Sequence, residues 1–230
     1  MEGVAGPIPA ESIGVIQIIK AIILDIDDTI IDYSRIVSHC YQQSAVELGL
    51  KKVSRERISK YFGTPHSLML NDLWNYKDEK KFERILFKKI NSKIVKPFPG
   101  AIDVIRKLYN GYVLALLSSK NKKIMYPQLK QINLSTKYFK FVYSKQDTKY
   151  NKPDPRVFSK PLKILKLKPS EILYVGDSKF DCIAAKEAKL NFVAVLTGHY
   201  SKREFRKYKV KNNNILKSLR DLPKWLDKNE

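Results

Sequence analysis

A chain of 230 residues, 43% hydrophobic and 29% charged, suits one globular domain with a modest insertion and excludes a string of large domains. Two cysteines, Cys40 and Cys182, exclude a disulfide framework; no apolar run is long enough for a membrane span, so a cytoplasmic protein is expected. The formal net charge of +21 could draw nucleic acid, anionic membrane or phosphorylated substrates, but the lysines are scattered, so a lysine-rich surface is the preferred reading.

Residues 1–19 read as a loose arm. Glu2 stands where a signal peptide would be basic, Pro7 and Pro9 follow, and no cleavage pattern is evident. Val15 to Ile19 could extend the first strand. Ala21 to Leu24 is a short continuous apolar run, the pattern of a strand buried on both faces. It breaks into Asp25-Ile26-Asp27-Asp28-Thr29. Asp25 and Asp27 are two apart and would share a face of an ideal strand.

From Asp32 to Lys96 the spacing turns helical. Ile36, Cys40, Val46 and Leu50 predict one helix, ended near Gly49. Ser54 caps a short second helix to about Phe62. His66 to Trp74 is a third and Asp78 to Ile90 a fourth, with Phe82, Ile85, Leu86 and Ile90 on one face. No strand is predicted here, so residues 33–96 form a helical insertion. The core is then 20–32 joined to 97–230.

After Pro97-Phe98-Pro99-Gly100, a helix from about Ala101 to Tyr109 leads to a strand, Tyr112 to Leu117, ending in Ser118-Ser119-Lys120-Asn121. Lys122 to Ile132 is a helix, kinked or started late at Pro127. Phe139 to Tyr143 is a short strand. A proline-stiffened loop, Asn151-Lys152-Pro153-Asp154-Pro155, precedes a helix to Leu165. Ile172 to Val175 is a fourth strand, followed by Gly176-Asp177-Ser178-Lys179-Phe180-Asp181. A helix over Phe180 to Ala188 and a fifth strand, Phe192 to Leu196, complete the alternation, and Ile215 to Leu226 reads as one or two short helices. Strands alternating with helices predict an α/β fold, a Rossmann-like parallel sheet with helices on both faces. Right-handed crossovers would bring Asp25, Ser118, Lys152 and Asp177 to one edge.

Together those groups suit phosphoryl chemistry. Paired carboxylates raise one another's pKa unless a cation intervenes, and Mg²⁺ prefers oxygen ligands. Asp25 could attack phosphorus, Asp27 move the proton, Ser118 donate to a phosphoryl oxygen and Lys152 supply fixed charge. Asp177 and Asp181 add anionic oxygens for a metal. Cys182 reads as packing, and no histidine is given a chemical role.

In order, these four stretches resemble the four motifs of the haloacid dehalogenase-like (HAD) superfamily, in its phosphoglycolate-phosphatase-like branch. The resemblance implies a Mg²⁺-dependent phosphatase working through an aspartyl-phosphate. Asp25, Asp27, Ser118 and Lys152 would be catalytic. The amides around Ile26 and Asp27, with Ser118, Ser119 and Lys152, would bind the phosphoryl group. Asp25, the Asp27 carbonyl and Asp177 would hold the metal, with Asp181 assisting. Asp27 is absent from dehalogenase relatives, because a leaving halide needs no proton, so its presence favours phosphoryl transfer.

The helical insertion resembles the cap of that branch, hinged near Asp32 to Ser34 and Lys96 to Pro99. Arg35, Lys51, Lys52, His66 and Asn71 are candidate substrate contacts on it. A small phosphorylated metabolite is the expected partner, handled by a monomer or homodimer without a membrane. A β-phosphoglucomutase-like sugar phosphomutase and a basic nucleic-acid-binding scaffold without turnover are the alternatives.

Overall fold

The computed structural model describes residues 18–62 and 64–229, so most of the expected arm lies outside the described residues. The first apolar run forms β1 (Ala21–Leu24), with all four residues buried. Ile18 and Ile19 do not extend it. Four helices follow: α1 (Ser34–Glu47), α2 (Arg55–Ser59), α3 (His66–Trp74) and α4 (Glu79–Asn91). The remainder alternates: α5 (Ala101–Leu108), β2 (Val113–Leu117), α6 (Lys122–Gln131), β3 (Val142–Tyr143), α7 (Ser159–Leu165), β4 (Ile172–Gly176), α8 (Lys179–Glu187), β5 (Asn191–Val195), α9 (Lys202–Lys207), β6 (Ile215–Leu216) and α10 (Leu222–Leu226).

The strands form one parallel sheet in the order β3-β2-β1-β4-β5-β6. The pleat sends Ile22, Leu24, Leu116 and Val175 into one apolar layer and Ile23, Leu117, Tyr174 and Ala194 into the other. Both faces are therefore buried, which is why these strands read as unbroken apolar runs. The chain winds outward in both directions from β1. The gap beside β1 is thus the topological switch point, where open α/β sheets collect ligands at their carboxyl ends.

The four helices after β1 own a third apolar cluster, centred on Phe82, Leu70, Ile58 and Cys40. The local signals explain their bounds. Ser54 Oγ accepts from the Arg57 amide, and Asp78 accepts from the Lys81 amide. Phe82, Leu86 and Ile90 are buried at helical spacing on α4. Two linkers join this unit to the sheet and run side by side: the Phe98 amide donates to Ile30 O at 2.8 Å and the Asp32 amide to Lys96 O at 3.1 Å.

Several expectations need correction. Ile215–Leu216 is a sixth strand rather than helix; it pairs with β5, and helix resumes with a 3-10 turn at Leu219–Asp221 that leads into α10. Two residues carry no periodicity, so pairing with a distant strand decides their conformation. Helix α9 was not foreseen at all; a capping box between Ser201 and Glu204 opens it. Helix α6 starts at Lys122, capped by Asn121, and runs through Pro127. Strand β3 is only Val142–Tyr143. Asp25 and Asp27 share no strand face, because β1 ends at Leu24 and the chain turns there.

Candidate active site

Asp25 is the first residue past β1. Its amide still donates to Val175 O at 2.9 Å, so the sheet fixes its backbone. Ser118 and Asp177 lie one residue beyond the level of Asp25 on the flanking strands, since Leu24 is in register with both Leu116 and Val175. The loop after α6 and β3 brings in Lys152 from the side. Asp154 stiffens that loop by donating its amide to Asn151 O and accepting from the Arg156 amide. The four expected groups thus meet, 127 residues apart in the case of Asp25 and Lys152.

The Lys152 side chain is buried, and its Nζ donates to Asp25 Oδ1 at 2.8 Å, Asp181 Oδ1 at 2.5 Å and the Tyr174 hydroxyl at 3.0 Å. Burial works against its charge, but Asp181 and Asp25 overcome this and hold its pKa well above the usual range. Asp181 accepts from Lys152 and Tyr174 on one oxygen and from the Ser178 amide and hydroxyl on the other. Ser118 Oγ accepts from the Lys120 amide at 3.1 Å, which leaves its own proton to donate elsewhere. Ser119 is exposed on the cleft wall.

Asp27 is held differently. Its carboxylate pairs with the buried Lys120, whose Nζ also meets Gln128 Oε1 and lies 3.4 Å from the centroid of the Tyr33 ring. Burial pushes the Lys120 pKa down, with Asp27 opposing. Sequence reasoning missed Lys120. It directly follows Ser118-Ser119 at a strand end, but nothing distinguishes it among 44 lysines and arginines. Asp28, also buried, organises the exit from the site. Its carboxylate accepts from the Tyr33 and Ser34 amides at the start of α1, at 3.1 and 2.9 Å.

Two glycines are required by close approach. A Cβ on Gly198 would lie 1.9 Å from Asp177 Oδ2, and one on Gly176 would lie 2.5 Å from Asp181 Cγ. The loop after β5 therefore packs its bare backbone on Asp177. Neither glycine was singled out for this.

The donors suit a hard cation. One carboxylate oxygen from each of Asp25, Asp177 and Asp181 lies within 4.8 Å of the other two. Among the described residues no hydrogen bond or ion pair reaches the buried Asp177 carboxylate. Its pKa is pushed well above the carboxylate range by burial and by Asp181, Asp25 and Asp28. Asp25 is raised from 3.8 to about 7, mainly by burial, with Asp181 and Asp27 adding and Lys152 opposing. Among the described residues, Asp25, Asp27, Asp28, Asp177 and Asp181 have the ammonium groups of Lys120 and Lys152 beside them, with the His199 ring 3.8 Å from Asp28. Such an excess is stable with a divalent ion or with bound protons.

The folded protein holds a proton on Asp25 that the unfolded chain releases near 3.8. Without metal, stability should therefore fall as pH rises from about 4 to about 7. Mg²⁺ should raise the melting temperature strongly at pH 8 and hardly at pH 5, where protons occupy the same oxygens. Scanning calorimetry at the two pH values checks this; an equal shift at both would contradict it.

A cleft of about 1190 Å³ opens above these groups, between the sheet edge and the helical unit. Phe62 from the helical side meets His199 from the sheet side, ring centroids 5.5 Å apart, and His199 lies 3.8 Å from Asp28. Of the candidate contacts Arg35, Lys51, Lys52, His66 and Asn71, only His66 lines the cleft. His66 is not solvent-facing: it packs edge-on against Tyr41 and Phe82 and lies near Glu79 and Glu83. Cys40 and Cys182 are free and buried, and Cys182 serves as packing. No helix among the described residues is long and apolar enough to cross a membrane.

The chain is similar to known proteins in both sequence and fold. The profile of the haloacid dehalogenase-like hydrolase family matches residues 22–195. A pyrophosphatase, PpaX, from Oceanobacillus iheyensis is 27% identical over 207 residues, 87% of this chain and 89% of the relative. A phosphoglycolate phosphatase from Aquifex aeolicus is 27% identical, covering 78% of this chain and 86% of its own. The fold is that of a crystal structure from Haemophilus somnus described as a predicted phosphoglycolate phosphatase. Its TM-score is 0.81 at 23% identity, over 92% of this chain and 99% of that one.

Proposed function

Since the chain belongs to the haloacid dehalogenase-like hydrolase family, we propose that it is a Mg²⁺-dependent phosphatase of small phosphorylated metabolites, working through an aspartyl-phosphate. The observation that carries this reading is the division of labour between two neighbouring acids. Asp25 is buried against Lys152, and Asp27 is held apart by Lys120.

In the proposed reaction Asp25 attacks phosphorus, and the bond to the leaving oxygen breaks. Asp27 gives that oxygen its proton. Water then attacks the same phosphorus, Asp27 takes the proton back, and Asp25 is released as carboxylate. Lys152 fixes the attacking carboxylate, and Ser118 donates to a phosphoryl oxygen beside the amides of Ile26 and Asp27. Asp25, Asp177 and the Asp27 carbonyl would hold the magnesium ion, which neutralises charge on the phosphoryl group. Asp181, saturated by Lys152, Tyr174 and Ser178, assists from behind.

The helical unit, residues 33–96, acts as a cap on the core of 20–32 and 97–230. The paired linkers at Asp32 and Lys96 to Phe98 support a hinge there. Closure would exclude water from the developing charge. The protein is read as cytoplasmic.

The test is a panel of phosphorylated metabolites with Mg²⁺, including phosphoglycolate, pyrophosphate and hexose phosphates, scored for orthophosphate and for isomers. Orthophosphate release from at least one small member is expected. Isomer formation without net release would instead make the protein a mutase. No reaction, with tight salt-sensitive nucleic-acid binding, would make the fold a scaffold.

A further inference from the structure

Lys152 has three N–H donors, and three acceptors surround it: Asp25 Oδ1, Asp181 Oδ1 and the hydroxyl of Tyr174. Two of these belong to the proposed machinery. The third comes from the middle of β4, where the sequence shows only another apolar strand position. Tyr174 is completely buried in the layer that holds Phe158, Phe192 and Cys182. Its hydroxyl accepts from Lys152 at 3.0 Å and has one proton of its own. Asp181 Oδ1 lies 2.9 Å away, against 3.5 Å for Leu117 O, so that proton goes to Asp181. The ring is set by its place in β4 and by several neighbours, with Phe158 edge-on at 5.0 Å and Phe192 tilted at 6.3 Å between centroids.

We propose that Tyr174 is a positioning residue: its hydroxyl, fixed by a rigid ring in the sheet, locks Lys152 and Asp181 so that the ammonium points at the carboxylate of Asp25. This rests on the phosphatase reading and extends it. A lysine stem is long and flexible, and two carboxylate acceptors alone leave its head free to turn about the line joining them. A third acceptor on a side chain with no freedom removes that turn. Tyr174 touches no reacting atom, so its effect should fall on the turnover step. Lys152, expected from the sequence among the phosphoryl-binding groups, has its three N–H donors taken by Asp25, Asp181 and Tyr174, so substrate binding, left to Ser118 and the backbone amides, should be spared.

The experiment compares Tyr174→Phe and Phe158→Leu with the wild-type full chain. Tyr174→Phe keeps the ring and deletes one oxygen; Phe158→Leu loosens the packing and leaves the hydroxyl in place. With an aryl phosphate and Mg²⁺, kcat should fall about tenfold in Tyr174→Phe, the worth of one hydrogen bond to a charged group, and KM should change by less than about twofold. Phe158→Leu should lower the melting temperature at least as much yet keep its kcat. A crystal structure of Tyr174→Phe should show Lys152 Nζ displaced from Asp25. Wild-type kcat in Tyr174→Phe, an equal loss in Phe158→Leu, or an unmoved Lys152 would overturn the proposal. If the wild type released no phosphate, the phosphatase reading would fail on its own, and the position of Lys152 in the crystal would still decide the role of Tyr174.

Discussion

Asp25→Asn is expected to lower phosphatase turnover by at least about four orders of magnitude, the loss typical when a covalent nucleophile is removed. The amide is nearly isosteric and keeps an acceptor for Lys152, so the fold should persist. The raised pKa of Asp25 means that its charge is a cost to the metal-free fold near neutrality. Metal-free Asp25→Asn should therefore melt no lower than wild type at pH 8. Mg²⁺ should stabilise it less, because one of three clustered anionic oxygens is gone. Steady-state orthophosphate release and calorimetry with and without Mg²⁺ check both halves. Turnover within tenfold of wild type would remove Asp25 as nucleophile.

Asp27→Asn separates the two chemical steps. Asparagine can neither give nor take the proton, and the expected loss of steady-state rate is about 10² to 10⁴. The loss should depend on the leaving group. An alkyl alkoxide leaves poorly without a proton, so an alkyl phosphate should show no fast phase. An aryl oxide leaves without help, so an aryl phosphate should give a rapid burst of one equivalent of phenol per site. Slow turnover follows, because the water of the second step still lacks its base. Stopped-flow absorbance on the variant reads this directly. A loss equal for both leaving groups, with no burst, would mean that Asp27 does not act as the acid. Lys120 belongs to the same prediction, since its ion pair with Asp27 sets where that carboxylate rests.

The sheet was legible because its strands are buried on both faces and its helices lie between them. Ile22, Leu116 and Val175 read as apolar runs for the same reason that they pack, and each run ends where the polar group begins. Asp25, Ser118 and Asp177 were found as ends of such runs and Lys152 by its proline-stiffened loop, and the fold brings them together. The groups that support them were not legible. Tyr174 looks like any apolar strand residue until its hydroxyl is seen between Lys152 and Asp181. Lys120 is one lysine among many, and its burial under Tyr33 depends on how the first linker crosses the site. Gly198 is marked only by the 1.9 Å that a Cβ would leave to Asp177. Two-residue β6 carries no period and exists because β5 offers an open edge. Apart from α9, whose capping box is local, what was missed is tertiary, set by contacts between separate elements: 22 residues separate Tyr174 from Lys152.

The most direct measurement is of the covalent state of Asp25. Asp27→Asn mixed with an aryl phosphate and Mg²⁺, quenched in acid within the burst and digested, should yield the Asp25 peptide carrying one phosphoryl group, absent from Asp25→Asn. A phosphoryl group on another residue, or a full burst of phenol with no covalent phosphate anywhere on the chain, would contradict attack by Asp25.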